Sequence, residues 1–502
     1  MQRQRKRMTA VSMTIAAALV VSLLGFAVAA EREVTDMGIT NAVEDGVLYS
    51  PAVDLNDITV RTREGVVTLS GSVPSLLAKE RAARLAETVK GVRSVVNTVE
   101  VIPHAKLSDW EIERDAEEAL LYDAATESFE VDVEVQGGVA TLTGWVDSFQ
   151  EKALSARVVK GVRGVRGVEN QLRIEYSEKR PDSEIRKDVR KALRWDALVD
   201  NGLIQVDVDG GKVILSGVVG SAAEMRRARV DAWVNGVQSV DAADLKVEPW
   251  AEEEDLRKEK YKEVTDSAVK EAVQDALLYD PRVAAFDVTP VVESGVVTLR
   301  GTVDNFKAKR AAEMDARNTV GVVSVVNRIK VQPGTPTDEE LETRIMGAIE
   351  REPALEAYEI VVEVVGGTAY LYGEVDNYYE KGTADDVAAR TYGVKDVENF
   401  IDVEVNEPLA YGPYTDEVYP YGRDWYDYEP EVTFRDDREI RENVQDELWW
   451  SPFVDLDQVE VIVDQGIVTL TGTVDSLGEK RAATRNAYEA GATWVRNELE
   501  VG

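Results

Sequence analysis

One short pattern is written six times along this chain: a Gly, a strand-like apolar run, and a second Gly six residues after the first. It reads GVVTLRG at residues 295–301 and recurs at Gly65/Gly71, Gly138/Gly144, Gly211/Gly217, Gly367/Gly373 and Gly466/Gly472, with Gly295/Gly301 as the fourth copy. Four residues after the first Gly stands Leu69, Leu142, Leu215, Leu299, Leu371 or Leu470. Two after the second stands Val73, Val146, Val219, Val303, Val375 or Val474. A fixed period of this kind marks repeated structural units and bounds the fold before any single residue does. Gly suits the φ > 0 position of a hairpin turn. Inside a strand it suits a bulge or a close backbone approach.

The second glycines are spaced 73, 73, 84, 72 and 99 residues apart in a chain of 502, 44% of it hydrophobic. That divides the chain into six units of roughly 70 residues, since one core would not grow to fill such a length. Units of this size lie near the lower limit for a self-sufficient core, which invites packing between neighbours. They are otherwise expected to stand as separate domains, so that damage to one leaves the other five melting unchanged. The formal charge of −36 argues against nucleic acid, whose phosphates need a basic footprint. The same acidity suits a salt-adapted organism. There is no Cys, hence no disulfide, thiolate metal site, Cys nucleophile or lipidated Cys.

Residues 1–30 read as a signal peptide. Arg3, Arg5, Lys6 and Arg7 form a basic start, residues 11–28 an apolar run, and Ala27, Val28 and Ala29 a small-residue cleavage site. Cleavage near Ala29 and a periplasmic product are expected, an uncleaved anchor being the alternative. Removing the four basic residues takes the remaining chain to about −40.

Each unit opens with an amphipathic helix whose apolar residues lie four apart and so share one face, as in Ile112/Ala116/Leu120 or Ile440/Val444/Leu448. Two residues on stands an aromatic in five copies (Tyr49, Tyr122, Trp195, Tyr279, Trp450), with Arg351 the exception. A strand follows, and the first Gly turns it into the second. Ser75, Ser148, Ser221, Asn305, Asn377 and Ser476 then stand as N-caps. Glu151, Glu224, Glu380 and Glu479, three later, predict capping boxes. An Ala-rich second helix and a last strand close the unit, and Asn97, Asn170, Asn327, Asn399 or Asn497 sits in that strand, with Ala242 in copy three. The plan helix–strand–strand–helix–strand implies an α+β fold, two helices on one face of a three-stranded sheet.

Helix, GVVTLxGxV, Ser/Asn cap, Ala-rich helix and the GV-x-x-V-x-N ending together resemble the BON domain. The resemblance covers six copies at 36–102, 108–175, 182–248, 264–332, 337–404 and 435–502. It implies an envelope location, affinity for phospholipid surfaces, and no catalytic residues. The nearest kind of protein is the osmotically inducible periplasmic family, which usually carries two such repeats.

Between the units, 102–106, 176–182 and 331–337 are short linkers carrying Pro, whereas 248–263 is highly charged and reads as a solvated helix. Residues 405–434 form a Tyr/Pro-rich linker, with seven Tyr and Trp between Tyr411 and Tyr428, expected to dock on a repeat or on a partner.

Nothing points to an enzyme or a cofactor. The single His, His104, lies in a linker, and the carboxylates show no paired pattern that recurs. Asp207, Asp209 and Gly210 resemble a calcium-loop fragment but lack its downstream Glu, so a turn is expected and no metal site. One charged position does recur. Eight residues past the second Gly lie Lys79, Lys152, Lys309, Lys381 and Lys480, with Met225 in copy three, and Arg81, Arg226, Arg227, Arg310 and Arg481 stand nearby. Cations in the first turns of a helix oppose its dipole slightly. These ten residues are therefore candidate contacts for phospholipid head groups, with solvation and i,i+4 pairing as the plainer reading. The expected function is non-catalytic support of the envelope under osmotic stress. A chaperone-like holder of unfolded clients and a scaffold for envelope proteins are the alternatives.

Overall fold

In a computed structural model of the protein, residues 33–502 are described apart from 49–57, 105, 127–129, 177–178, 253–259, 261–263, 285, 333–335, 404–435 and 493. The expected signal peptide and the aromatic linker lie outside the described residues, as does Tyr49. Among the described residues no helix is long and apolar enough to cross a membrane.

Repeat two shows how each unit is built. Its first helix, Asp109–Tyr122, turns Ile112, Ala116 and Leu120 into the core. The strands Glu130–Gln136 and Val139–Val146 pair antiparallel across the Gly137-Gly138 turn. The second of them is central and pairs in parallel with the last strand, which comes in two pieces, Gly167–Asn170 and Arg173–Ile174. Val133, Val135, Ala140, Leu142 and Val146 alternate onto the same core, which the second helix, Phe149–Lys160, covers with Ala156, Val158 and Val159. The same order of elements recurs in all six units, so the fold is α+β repeats throughout.

An Asp at the first position of each first helix ties that helix to the hairpin. Asp109 accepts from the Gly137 and Gly138 amides at 2.8 and 2.9 Å. Asp36, Asp182, Asp266, Asp338 and Asp437 do the same in the other units. The backbone amides hold the Asp36, Asp109 and Asp266 carboxyls below the ordinary carboxylate range. All six expected N-caps accept from the amide three residues on. The four expected capping boxes are corrected in part. Asn377/Glu380 closes one, and in all four units the Glu carboxylate accepts from the amide one residue further back: Glu151 from Asp147, Glu224 from Gly220, Glu380 from Asp376 and Glu479 from Asp475.

The first Gly of each pair makes the hairpin turn as expected: Gly65, Gly138, Gly211, Gly295, Gly367 and Gly466 have φ between +73° and +83°. At the second Gly the bulge expected as one of two possibilities is corrected. Gly71, Gly144, Gly217 and Gly472 pair in unbroken hairpin register with Ile58, Val131, Ile204 and Val459. At Gly301 and Gly373 the central strand is interrupted for that one residue. The position is instead a close approach at left-handed φ: +126° at Gly71 and Gly144, +112° at Gly217, +147° at Gly301, +146° at Gly373 and +131° at Gly472. A Cβ would lie 2.1 Å from the Glu130 carbonyl oxygen at Gly144 and 2.1 Å from that of Leu203 at Gly217. The corresponding carbonyl oxygens lie at 2.4 Å for Gly301 (Asp287), 2.8 Å for Gly373 (Glu359) and 2.0 Å for Gly472 (Gln458).

The repeats are not separate beads but bond to one another, so coupled melting is expected in place of independent melting. An α-helix ends with carbonyls that have no partner within the helix. Here another repeat supplies the amide. Arg163 N donates to Arg351 O at 2.8 Å, and Tyr392 N to Tyr122 O at 2.9 Å. Residues 163 and 392 each stand 19 past their second Gly, and 122 and 351 each stand 22 before it, so repeats two and five are related by a local two-fold. The equivalent bond joins repeats three and four (Val320 N to Trp195 O, 3.0 Å) and repeats one and six (Lys90 N to Trp450 O, 2.8 Å). The pairing is nested: one with six, two with five, three with four.

Within each half of the chain the units also touch in cyclic order. Leu76 of repeat one enters the core of repeat two. Phe149 of repeat two stacks on Trp233 of repeat three at 4.1 Å, and Arg226 of repeat three pairs with Glu87 of repeat one at 2.7 Å. Phe306 of repeat four packs on the core of repeat five, Val403 of repeat five on that of repeat six, and Leu477 of repeat six on that of repeat four.

Two outcomes are expected. Gly144→Val should lower stability by about 3 kcal/mol or more, because a Cβ meets backbone at a left-handed φ. Amide exchange should then rise in repeat five as well as in repeat two, and a rise confined to repeat two would refute the interlocking. Asp109→Ala should lower the urea midpoint at neutral pH. The folded carboxyl titrates below its unfolded value, so its stabilisation is present above the carboxylate range and is lost as pH falls through it. The gap between variant and wild type should therefore close in acid.

Candidate functional site

The recurring lysines sit in the first turn of the second helix, all five half-buried. Their backbone carbonyls have a shared use. Asn97, Asn170, Asn327, Asn399 and Asn497 donate through Nδ2 to the carbonyls of Lys79, Lys152, Lys309, Lys381 and Lys480 at 2.7–2.8 Å. The Oδ1 of each Asn accepts the amide two residues on, which bends the last strand between its two pieces. In two copies the ammonium joins in: Lys152 Nζ donates to Leu172 O at 2.6 Å and Lys480 Nζ to Leu499 O at 2.7 Å. Burial pulls Lys152, Lys381 and Lys480 below the ordinary lysine value. Copy three has Met225 for Lys and Ala242 for Asn, and there the last strand runs unbroken over Ser239–Val247.

The neighbouring arginines are placed differently. Arg81 reaches Glu489 of repeat six at 3.4 Å, Arg226 reaches Glu87 of repeat one at 2.7 Å, and Arg310 reaches Asp385 of repeat five at 2.8 Å. Arg481 donates to Asn318 Oδ1 of repeat four at 3.3 Å. Arg227 grips Asp196 of its own repeat with Nη2 at 2.5 Å. The ten basic candidates thus divide into an arginine set turned to protein carboxylates and amides and a half-exposed lysine row.

One buried charge had no warning in the sequence pattern. Lys307 of repeat four is 2% exposed and donates to Asp386 of repeat five at 2.7 Å. Desolvation pulls its ammonium down to about 8 despite that partner. His104 is exposed, and 207–210 is the end of a strand and its turn, with Gly210 N donating to Asp182. The lysine row offers positive charge at one position of five of the six units, with no recurring nucleophile or acid–base pair beside it among the described residues. The latch aspartates, also missed, carried a legible signal: an Asp stands 35 residues before the second Gly in every copy.

Against known proteins, the BON domain model matches residues 35–103, 108–176, 181–249, 265–333, 337–405 and 436–502. Osmotically-inducible protein Y of Escherichia coli is 33% identical over 144 residues, 28% of this chain and 72% of that protein. An uncharacterized protein in the gshII 5′ region of Anaplasma centrale is 30% identical over 130 residues, 25% of this chain and 86% of that one. A solved structure of CdsD, a structural protein of the type III secretion system of Chlamydia trachomatis, is matched over 45% of this chain and 98% of its own, at 14% identity and a TM-score of 0.12. Six matches in one chain, each over a unit with the same order of elements, make this protein a member of the BON domain family.

Proposed function

We propose that this protein is a non-catalytic, exported component of the periplasm that supports the cell envelope under osmotic stress by contacting phospholipid surfaces through its repeated lysines. The relative named for osmotic induction supports the stress setting. The observation that carries the lipid contact is the division of the basic residues. The five arginines turn to protein partners, while Lys79, Lys152, Lys309, Lys381 and Lys480 stand half-exposed at one position of five units, two of them, Lys152 and Lys480, also bonded to a strand carbonyl. Each cation near an anionic leaflet contributes roughly 1 kcal/mol, so one repeat alone binds feebly and several together bind measurably. The acidic remainder of the chain opposes the approach, but charges beyond about 8 Å are screened at physiological salt.

A second reading is a holder of unfolded protein, favoured by exposed aromatics on the sheets. Tyr372 and Phe400 of repeat five stack at 5.6 Å and are 38% and 54% exposed, and Trp145 of repeat two is 48% exposed. Such amphipathic rings suit an interface with one wet side.

Changing the five lysines together to Gln should abolish flotation with anionic liposomes, and wild-type flotation should weaken as salt rises. A small loss of stability is expected from Lys152 and Lys480, about 0.5–1.5 kcal/mol for each lost bond. Equal flotation by variant and wild type, or none by either at low salt, refutes the lipid contact. Suppression of client aggregation that falls on Phe400→Ser would then favour the holder.

A further inference from the structure

Repeats three and four enclose a cavity of about 210 Å³ between them. It lies on their local two-fold, for residues at equivalent positions line it in pairs: Trp195 with Tyr279, Asp196 with Asp280, and Asp231 with Asp315. Trp233 adds a third aromatic wall, backed on one face by Phe149.

Four of the lining carboxylates have cationic partners. Asp196 holds Arg227 and Asp280 holds Arg282, each at 2.5 Å, while Asp188 holds Arg180 at 2.7 Å and Asp275 holds Lys191 at 2.6 Å. Among the described residues, Asp231 and Asp315 form no such pair, and the Oδ2 of each is enclosed without a hydrogen-bond partner. Each lies within hydrogen-bonding reach of a second carboxyl, Asp196 or Asp280, so a bond between them needs a proton. Burial, and then that neighbour, push Asp231 and Asp315 well above the ordinary carboxylate range. Arg227 and Lys260 oppose this at Asp231, and Arg282 does at Asp315.

Packing does not require these acids. Both stand 14 residues past the second Gly, where repeats two and five carry Val158 and Val387, both buried in a pair with the same backbone exchange. A surplus carboxyl at that place costs stability that an apolar side chain would not. It makes chemical sense where a cation arrives. Aromatic side chains line the cavity, and a ring's negative face attracts a cation clothed in carbon rather than a bare metal ion seeking a shell of oxygens.

We propose that this cavity binds a small organic ammonium ion, seated against Trp195 and Tyr279 with its charge on Asp231 and Asp315. Bound there, the ion would neutralise these carboxyls in place of a proton.

Calorimetric titration of the full chain with tetramethylammonium chloride tests it, with potassium chloride at equal ionic strength as the control. Expected are saturable binding of tetramethylammonium alone and at least roughly tenfold weaker binding by Asp231→Asn/Asp315→Asn, from loss of the charge while the rings remain. Absence of saturable heat, the same response to potassium, or equal affinity in the variant overturns the site. The double variant should melt at or above wild type at neutral pH. The two carboxyls titrate higher in the fold than unfolded, so their protonated form stabilises it at low pH and that contribution is lost as pH rises. If the double variant instead melts lower, the single Asp315→Asn decides by the same criterion. Phosphatidylcholine vesicles carry the same group on a lipid. Flotation with them that tetramethylammonium competes away assigns the natural source to a head group, and tetramethylammonium binding without such flotation assigns it to a free amine.

Discussion

Each unit depends on a carboxylate that closes a turn. A two-stranded hairpin of this size is marginal alone, and a short helix is marginal alone. The Asp at the first position of each first helix joins them, since one carboxylate accepts both amides at the hairpin tip. That fixes where the helix begins, hence which residues at spacing four meet the sheet. The second Gly then lets the central strand pass within contact of the carbonyl of the strand beside it, a place with no room for a Cβ. With helix and strands held in that register, the alternating valines and the helix face meet in one core. Six cores repeat the solution with different side chains.

What the units do to one another follows from helix ends. Orphan carbonyls at a helix C-terminus need donors, and here a second repeat provides them from the turn just past its own second helix. Because the bond is made by backbone, it tolerates change in the side chain. Repeat five carries Arg351 where the others have an aromatic, yet the Arg351 carbonyl still receives the Arg163 amide, and its guanidinium turns to Glu118 at 2.8 Å. Around these bonds lie charges that would be costly alone. Lys307 with Asp386 and Arg310 with Asp385 join repeats four and five within one half of the chain, and are buried enough that removing one partner would leave the other unsolvated.

Much of this is legible in the residues. The order of elements, the N-caps and the core faces follow from spacing that any one copy shows and six copies repeat. The second Gly is legible as a special backbone position, but a bulge and a close approach ask for the same residue, and only the pairing register tells them apart. The latch Asp is equally visible as a recurring letter, but its meaning is not, because an acid at a helix start already has a sufficient reading in the helix dipole. The pairing of repeats is hidden for a different cause. It runs through backbone amides, which leave no mark in side-chain identity, while the contacts within each half run through charges such as Lys307 and Asp386 that have no counterpart in the other copies. The glutamates three past the N-caps show a subtler limit. Residue type and spacing are right for a capping box, yet in all four units the carboxylate serves the amide one residue earlier, and in repeat five it takes the N-cap amide as well.

Copy three bears on how recurrence should be weighed. It lacks the Lys and the Asn together, and its last strand runs on without a break, with a register shift against Ile214 and Ser216, where the others divide in two. Two letters that vanish together and leave a local change of geometry are tied by that geometry, whatever else they do. The Lys therefore has two claims on it: its carbonyl, which any residue could offer, and its ammonium, which in repeats two and six turns onto the bent strand's own carbonyls. The backbone claim explains why the position recurs as part of a bend and leaves the choice of a cation there unexplained in repeats one and four. The surplus of charge chemistry over structural need lies in those repeats, just as Asp231 and Asp315 exceed what packing asks where Val158 and Val387 suffice.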